Sequence, residues 1–77
     1  MKQFKIRLST IVDVRDFVNA VISFNGDVDL ASGRYVVDGK SIMGIFSLDL
    51  LNPIDVTIHG DSGVDELMEK IDRFIVK

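Results

Sequence analysis

Three stretches of this chain put apolar and polar residues in alternation, and each can present only one apolar face. Phe4, Ile6 and Leu8 alternate with Lys5, Arg7 and Ser9; Val28 and Leu30 lie within Asp27 to Ala31; Ile54, Val56 and Ile58 alternate with Asp55, Thr57 and His59. A period of two marks a half-buried strand, and strands of this kind form an antiparallel sheet that needs cover on one side only. A fourth stretch, Arg34 to Val37, follows the turn signal Ser32-Gly33 and reads as the hairpin partner of Asp27 to Ala31.

The intervening segments carry the helical period. Asp13 precedes Val14, Phe17, Val18, Val21 and Ile22, which are spaced to share a face. Asp13 as N-cap, with Asp16 three residues on at the positive end of the dipole, predicts a helix start there. Ser9 to Val12 is then a connection, and Asn25-Gly26 the stop. The last stripe is Val64, Leu67, Met68, Ile71, Phe74 and Ile75, headed by Ser62 and Asp65 at capping-box spacing. Asn52-Pro53 breaks the chain before the final strand. The order βαββαβα predicts an α+β fold, a four-stranded antiparallel sheet with three helices on one face and solvent on the other. A chain of 77 residues without repeats or linkers makes a single domain, 1–77.

The most apolar run, Lys40 to Leu51, behaves differently. Read as a short helix it places Ser41 at the N-cap, with apolar groups all round the axis. Ile45 and Leu48, helped by Leu51, can face a core, which leaves Ile42, Met43 and Phe46 outside. A helix apolar on every side is either buried or docks something, and so small a chain struggles to bury both sides. This stretch therefore reads as a docking surface with a modifiable hydroxyl at its head.

Composition narrows the rest. With no cysteine there are no disulfides, thiol nucleophiles or Cys-ligated metals, and one histidine argues against a His-based metal cluster. A net charge of −3 without a basic run speaks against nucleic acid. No apolar run approaches the roughly 18 residues of a membrane span. The charged start, Met1-Lys2-Gln3, runs straight into the first alternation, so no signal peptide is expected and a cytoplasmic protein is. No cofactor is implied.

Few residues could carry chemistry. His59 ends the last strand on its outward register without a partner at triad spacing, and reads first as a solvated histidine. Asp27, Asp29, Asp38, Asp55, Asp61, Asp65 and Glu66 are scattered over polar registers and turns, as on a solvated face. Gly60-Asp61-Ser62-Gly63 lacks the lysine and the spacing of a phosphate loop, and helix capping explains it better. Asp13 and Arg15 at the mouth of the first helix could meet an anion or simply cap. Ser41 could cap or, once phosphorylated, add charge at the favourable end of a helix.

At this point KSIMGIFSLDL resembles the KSIMGVMSL-type segment of HPr, the small phosphocarrier of the bacterial sugar phosphotransferase system. FNGDVDLASGRYVVDGKS and the final strand and helix are similar to the same family without a gap, and the resemblance implies the family's open-faced sandwich. It places Ser41 on the serine that a bifunctional HPr kinase/phosphorylase modifies in Gram-positive members. It places Ile42, Met43 and Phe46 on the exposed residues that dock the kinase, enzyme I and transcriptional regulators, with Phe46 bulkier than the usual methionine. The family's active histidine, in a GxHxRP-like motif, has no counterpart in TIVDVRDF. Matching the arginine puts Asp13 at that position and keeps Arg15; matching the helix end puts Thr10 there. The first register is preferred, because the family histidine is an N-cap and Asp13 is expected to be one.

Three functions follow. The first is a regulatory protein without phosphocarrier or catalytic activity, similar to the catabolite-repression HPr homologue and switched at Ser41. The second is a phosphocarrier using Asp13 as an unusual acceptor. The third is a binding or oligomerisation module whose Ile42/Met43/Phe46 patch pairs with a copy of itself as a homodimer.

Overall fold

The chain folds in the order β1 (Lys2–Ile6), α1 (Ile11–Ile22), β2 (Asp27–Ser32), β3 (Tyr35–Asp38), α2 (Ile42–Phe46), β4 (Ile54–His59) and α3 (Val64–Ile71), closed by a 3-10 turn at Asp72–Phe74. The structure, a computed structural model, describes residues 1–77. The four strands form one antiparallel sheet in the order β1-β4-β2-β3. The predicted α+β architecture is the one observed.

Alternation decides which way each strand faces. Ile6, Val28, Leu30, Ile54, Val56 and Ile58 are buried, and Val14, Phe17, Val18 and Val21 of α1 with Leu67 and Ile71 of α3 pack on them in a single core. The opposite face carries Lys5, Asp55, Thr57, His59 and Asp29 to solvent; Lys5 pairs with Asp55 at 2.8 Å and His59 Nε2 lies 3.0 Å from Asp29 Oδ2. No polar or charged residue is buried, so the interior holds no ionisable group for chemistry. The β2–β3 turn is two residues long with Gly33 at φ +60, the first loop position of a type II′ turn, where a side chain would be strained.

Helix ends depart from the local pattern. Helix α1 begins three residues earlier than predicted, and Thr10, not Asp13, is its N-cap. It also stops at Ile22, capped by Ser23, whose hydroxyl donates to Ala20 O at 3.0 Å, so Asn25-Gly26 lies beyond its end and Ile22 is exposed. Helix α3 starts after Gly63 at φ +82 with no side-chain cap, so Ser62 and Asp65 do not form the expected box. It ends at Ile71, because Phe74 leaves the helix to reach the core while Ile75 bridges Ile6 on the edge of β1. Phe74 meets Phe17 edge-on with ring centres 6.0 Å apart, pinning the C-terminal segment to α1.

Candidate functional site

Two helix starts hold the residues singled out from sequence. At α2 the turn out of β3 sets the geometry. Lys40 N–H donates to Asp38 Oδ1 at 2.9 Å and Ser41 N–H to Asp38 O at 3.0 Å, which turns the chain up from the sheet. Ser41 is the N-cap, its Oγ accepting from Gly44 N–H at 3.1 Å. Helix α2 is one turn, far shorter than the apolar run that contains it. It is held by Ile45, fully buried beneath it, a burial that contributes about 1.5–3 kcal/mol. Gly44 costs about 1 kcal/mol in helix propensity but lets the turn sit on β3, where a Cβ would come within 3.3 Å of the Val37 Cβ.

The side turned away from the sheet is apolar and exposed. Met43 is 76% exposed, Phe46 41% and Ile42 37%, as the sequence predicts. Leu51 is a correction: it faces solvent, not the core. Asp49 explains this, since its carboxylate accepts from Leu51 N–H at 3.0 Å and from the Asn52 amide at 2.8 Å. That turn packs Leu50 against the core and throws Leu51 outward. Beside the hydroxyl, Lys40 is already engaged, donating from Nζ to Phe24 O at 2.8 Å.

The mouth of α1 is a charged lattice. Thr10 Oγ accepts from Asp13 N–H at 3.1 Å while the Asp13 carboxylate accepts from Ser9 N–H at 3.0 Å, a reciprocal arrangement close to a capping box. Arg73 reaches in from the 3-10 turn, 2.7 Å from Asp16 and 3.9 Å from Asp13, and lies over the Phe74 ring at 4.3 Å. Arg15 pairs with Asp16 at 3.3 Å. A shallow groove here is lined by Arg7, Ser9, Asp13, Arg73 and Phe74. His59 cannot join it, because its side chain lies on the open face of the sheet and α1 packs on the other. Arg73 had no local signal in the sequence; Thr10 had one, its spacing of three from Asp13.

Among solved structures the chain resembles HPr-C-His from Thermoanaerobacter tengcongensis, with a TM-score of 0.79, 24% identity, and 95% of this chain and 89% of that one covered. It also resembles the phosphocarrier protein HPr from Bacillus anthracis str. Ames, with a TM-score of 0.69, 24% identity, and 97% and 96% covered. The chain has the HPr fold. No protein-family model and no curated protein sequence matches it. Within that fold, the KSIMG segment lies at the start of α2, and the mouth of α1 carries neither a histidine nor a proline. No helix is long and apolar enough to cross a membrane.

Proposed function

We propose that the chain is an HPr-related regulatory protein of the bacterial sugar phosphotransferase system, acting in the cytoplasm through docking at α2 and phosphorylation of Ser41. It is neither a histidine phosphocarrier nor an enzyme. The observation that carries this reading is the pairing, in one helical turn, of an N-cap serine with three outward apolar residues, Ile42, Met43 and Phe46. Phosphorylation would replace a neutral acceptor at Gly44 N–H by a group with charge near −2 and three acceptor oxygens. Placed beside Ile42 and Met43, that charge changes which partners the patch accepts, favouring those that bring a cation to it and rejecting those that bury it. By resemblance those partners are an HPr kinase/phosphorylase, enzyme I or a transcriptional regulator.

The carrier alternative gains no support at the mouth of α1. A phosphoryl relay needs an acceptor free to accept and release, and the Asp13 carboxylate is engaged by the Ser9 amide with Arg73 nearby. Asp13 matches the family's histidine only as an expected N-cap, and Thr10 is the N-cap of α1. A threonine phosphoester lacks the lability of a phosphohistidine in either register.

The test is intact-protein mass after incubation with ATP and a Gram-positive HPr kinase, alongside Ser41→Ala. One phosphate on the parent and none on the variant is expected. No modification, with the kinase active on an authentic HPr, would sink the regulatory reading for that kinase. Labelling of Asp13 from phosphoenolpyruvate and enzyme I would instead favour the carrier.

A further inference from the structure

The two edges of the sheet are treated differently. Along β1 the C-terminal residues close the edge: Arg7 N–H donates to Phe74 O at 2.8 Å and Val76 N–H to Lys5 O at 2.9 Å, either side of the Ile6–Ile75 bridge. No strand pairs with the outer edge of β3, which is engaged only at its far end, where Asp38 O accepts from Ser41 N–H. Tyr35 and Val36 are 71% and 66% exposed there, and Arg34, just before the strand, makes no hydrogen bond or ion pair. Natural sheets usually protect an edge by keeping it short, charging it or covering it. This one is short, but its charges are of opposite sign at its two ends.

The ladder shows which backbone groups are free. Ser32 faces Tyr35 across the two-residue loop, Leu30 faces Val37, and Gly39 N–H donates to Val28 O at 2.6 Å. Bonded positions alternate along an antiparallel strand, so Tyr35, Val37 and Gly39 are turned to β2, while the amide and carbonyl of Val36 and the amide of Asp38 point away from it; the Asp38 carbonyl already accepts from Ser41 N–H. An antiparallel neighbour must present its own outward groups to these. A second β3 centred Val36 on Val36 does so. The same register sets Arg34 against Asp38 at both ends and Tyr35 against Val37, because Arg34-Tyr35-Val36-Val37-Asp38, read backwards, is complementary to itself in charge.

We propose that a second copy of this chain adds to this edge, β3 on β3 about a two-fold axis through Val36, so that the two four-stranded sheets become one. Directly opposed residues point to the same face, so both helix layers lie on one side. Gly44 sits over Val37, and strand rise and spacing put the two copies of Val37 roughly 8 Å apart, so the two α2 helices lie side by side over the joined sheet. An edge of four residues is below the size of a standard interface, so the dimer is weak and forms at high concentration. The isologous geometry closes it at two copies.

Sedimentation equilibrium over a concentration series up to about 1 mM, where weak association registers, tests this. Val36→Pro removes an outward amide that the β2–β3 ladder does not use, so a folded variant with a dissociation constant raised about tenfold or more is expected. Arg34→Asp should weaken the dimer, since in this register it sets carboxylates against each other at both ends. Circular dichroism confirms folding of each variant. A parent that stays monomeric throughout overturns the proposal, as does a dimer indifferent to Val36→Pro or to Arg34→Asp. Because Val36→Pro and Arg34→Asp leave Ser41 and the Asp38 bond to Lys40 N–H in place, these outcomes are independent of the kinase assay.

Discussion

Thr10 and Ser41 start their helices with the same device, a hydroxyl accepting from the amide three residues on, each at 3.1 Å. What surrounds them differs. Around Thr10 are Asp13, Asp16, Arg15 and Arg73, bonded to one another and to the backbone. Around Ser41 are Ile42, Met43 and Phe46, each with an exposed apolar surface, and a lysine whose ammonium is already occupied. The first start ties three parts of the chain together: the end of β1, α1 and the 3-10 turn. The second stands on a single buried residue, Ile45. One site is closed by its own charges, while the other remains open to a partner.

The sharpest way to break this contrast is to remove each helix's anchor. Phe17→Ala empties the space between α1 and Phe74 and should cost about 3–5 kcal/mol in denaturant unfolding. Ile45→Ala should cost about 2–4 kcal/mol and loosen α2 selectively, seen as faster amide exchange at Ile45 and Leu48 than in the sheet. If exchange rises equally in α1, then α2 is not a separable platform.

A smaller effect separates the caps themselves. Thr10→Ala should lose about 1 kcal/mol, because it frees an amide in a lattice that supports a twelve-residue helix. Ser41→Ala should lose about 0.5 kcal/mol, since only one turn depends on it. The reverse order in thermal unfolding would contradict the comparison.

Next comes Arg73→Ala, expected to cost roughly 0.5–1 kcal/mol from an exposed ion pair and the stacking on Phe74. The ion-pair share should fade in 1 M salt, so an unchanged penalty there would assign all of it to the ring. The smallest effect on stability should come from Met43→Ser, within about 0.5 kcal/mol of the parent. The same change should abolish capture of the phosphorylated chain by whatever partner uses α2, and unaltered capture would move the docking surface elsewhere.

The sheet was readable from sequence because each strand is covered on one face, and Val28, Leu30, Ile54, Val56 and Ile58 write that into every second position. The buried side of α1 was readable for the same reason, at Val14, Phe17, Val18 and Val21. Ends were not. Thr10 and Asp13 are both acceptable caps, three residues apart, and the choice falls to Thr10 because Leu8 must still reach the core. Ile75 fits the stripe of α3 perfectly well, yet it pairs with Ile6, far away in sequence, which no local period reports. Leu50 and Leu51 traded places on the strength of one carboxylate, Asp49. At the candidate site the Ser41 cap and its exposed neighbours were legible because they are local. The engagement of Asp16 by Arg73 was not, since it joins opposite ends of the chain.

The strand order β1-β4-β2-β3 has a consequence in time. Strand β4 alone joins β1 to β2, so the first strand made has no neighbour until the segment Ile54–His59 exists. A chain still emerging from the ribosome can close only the local β2–β3 hairpin, and α2 forms on that hairpin before the sheet beneath it is whole. Pairings between distant segments slow a search that helices would complete quickly. The sheet should therefore form late and all at once, with β4 as the piece that completes it.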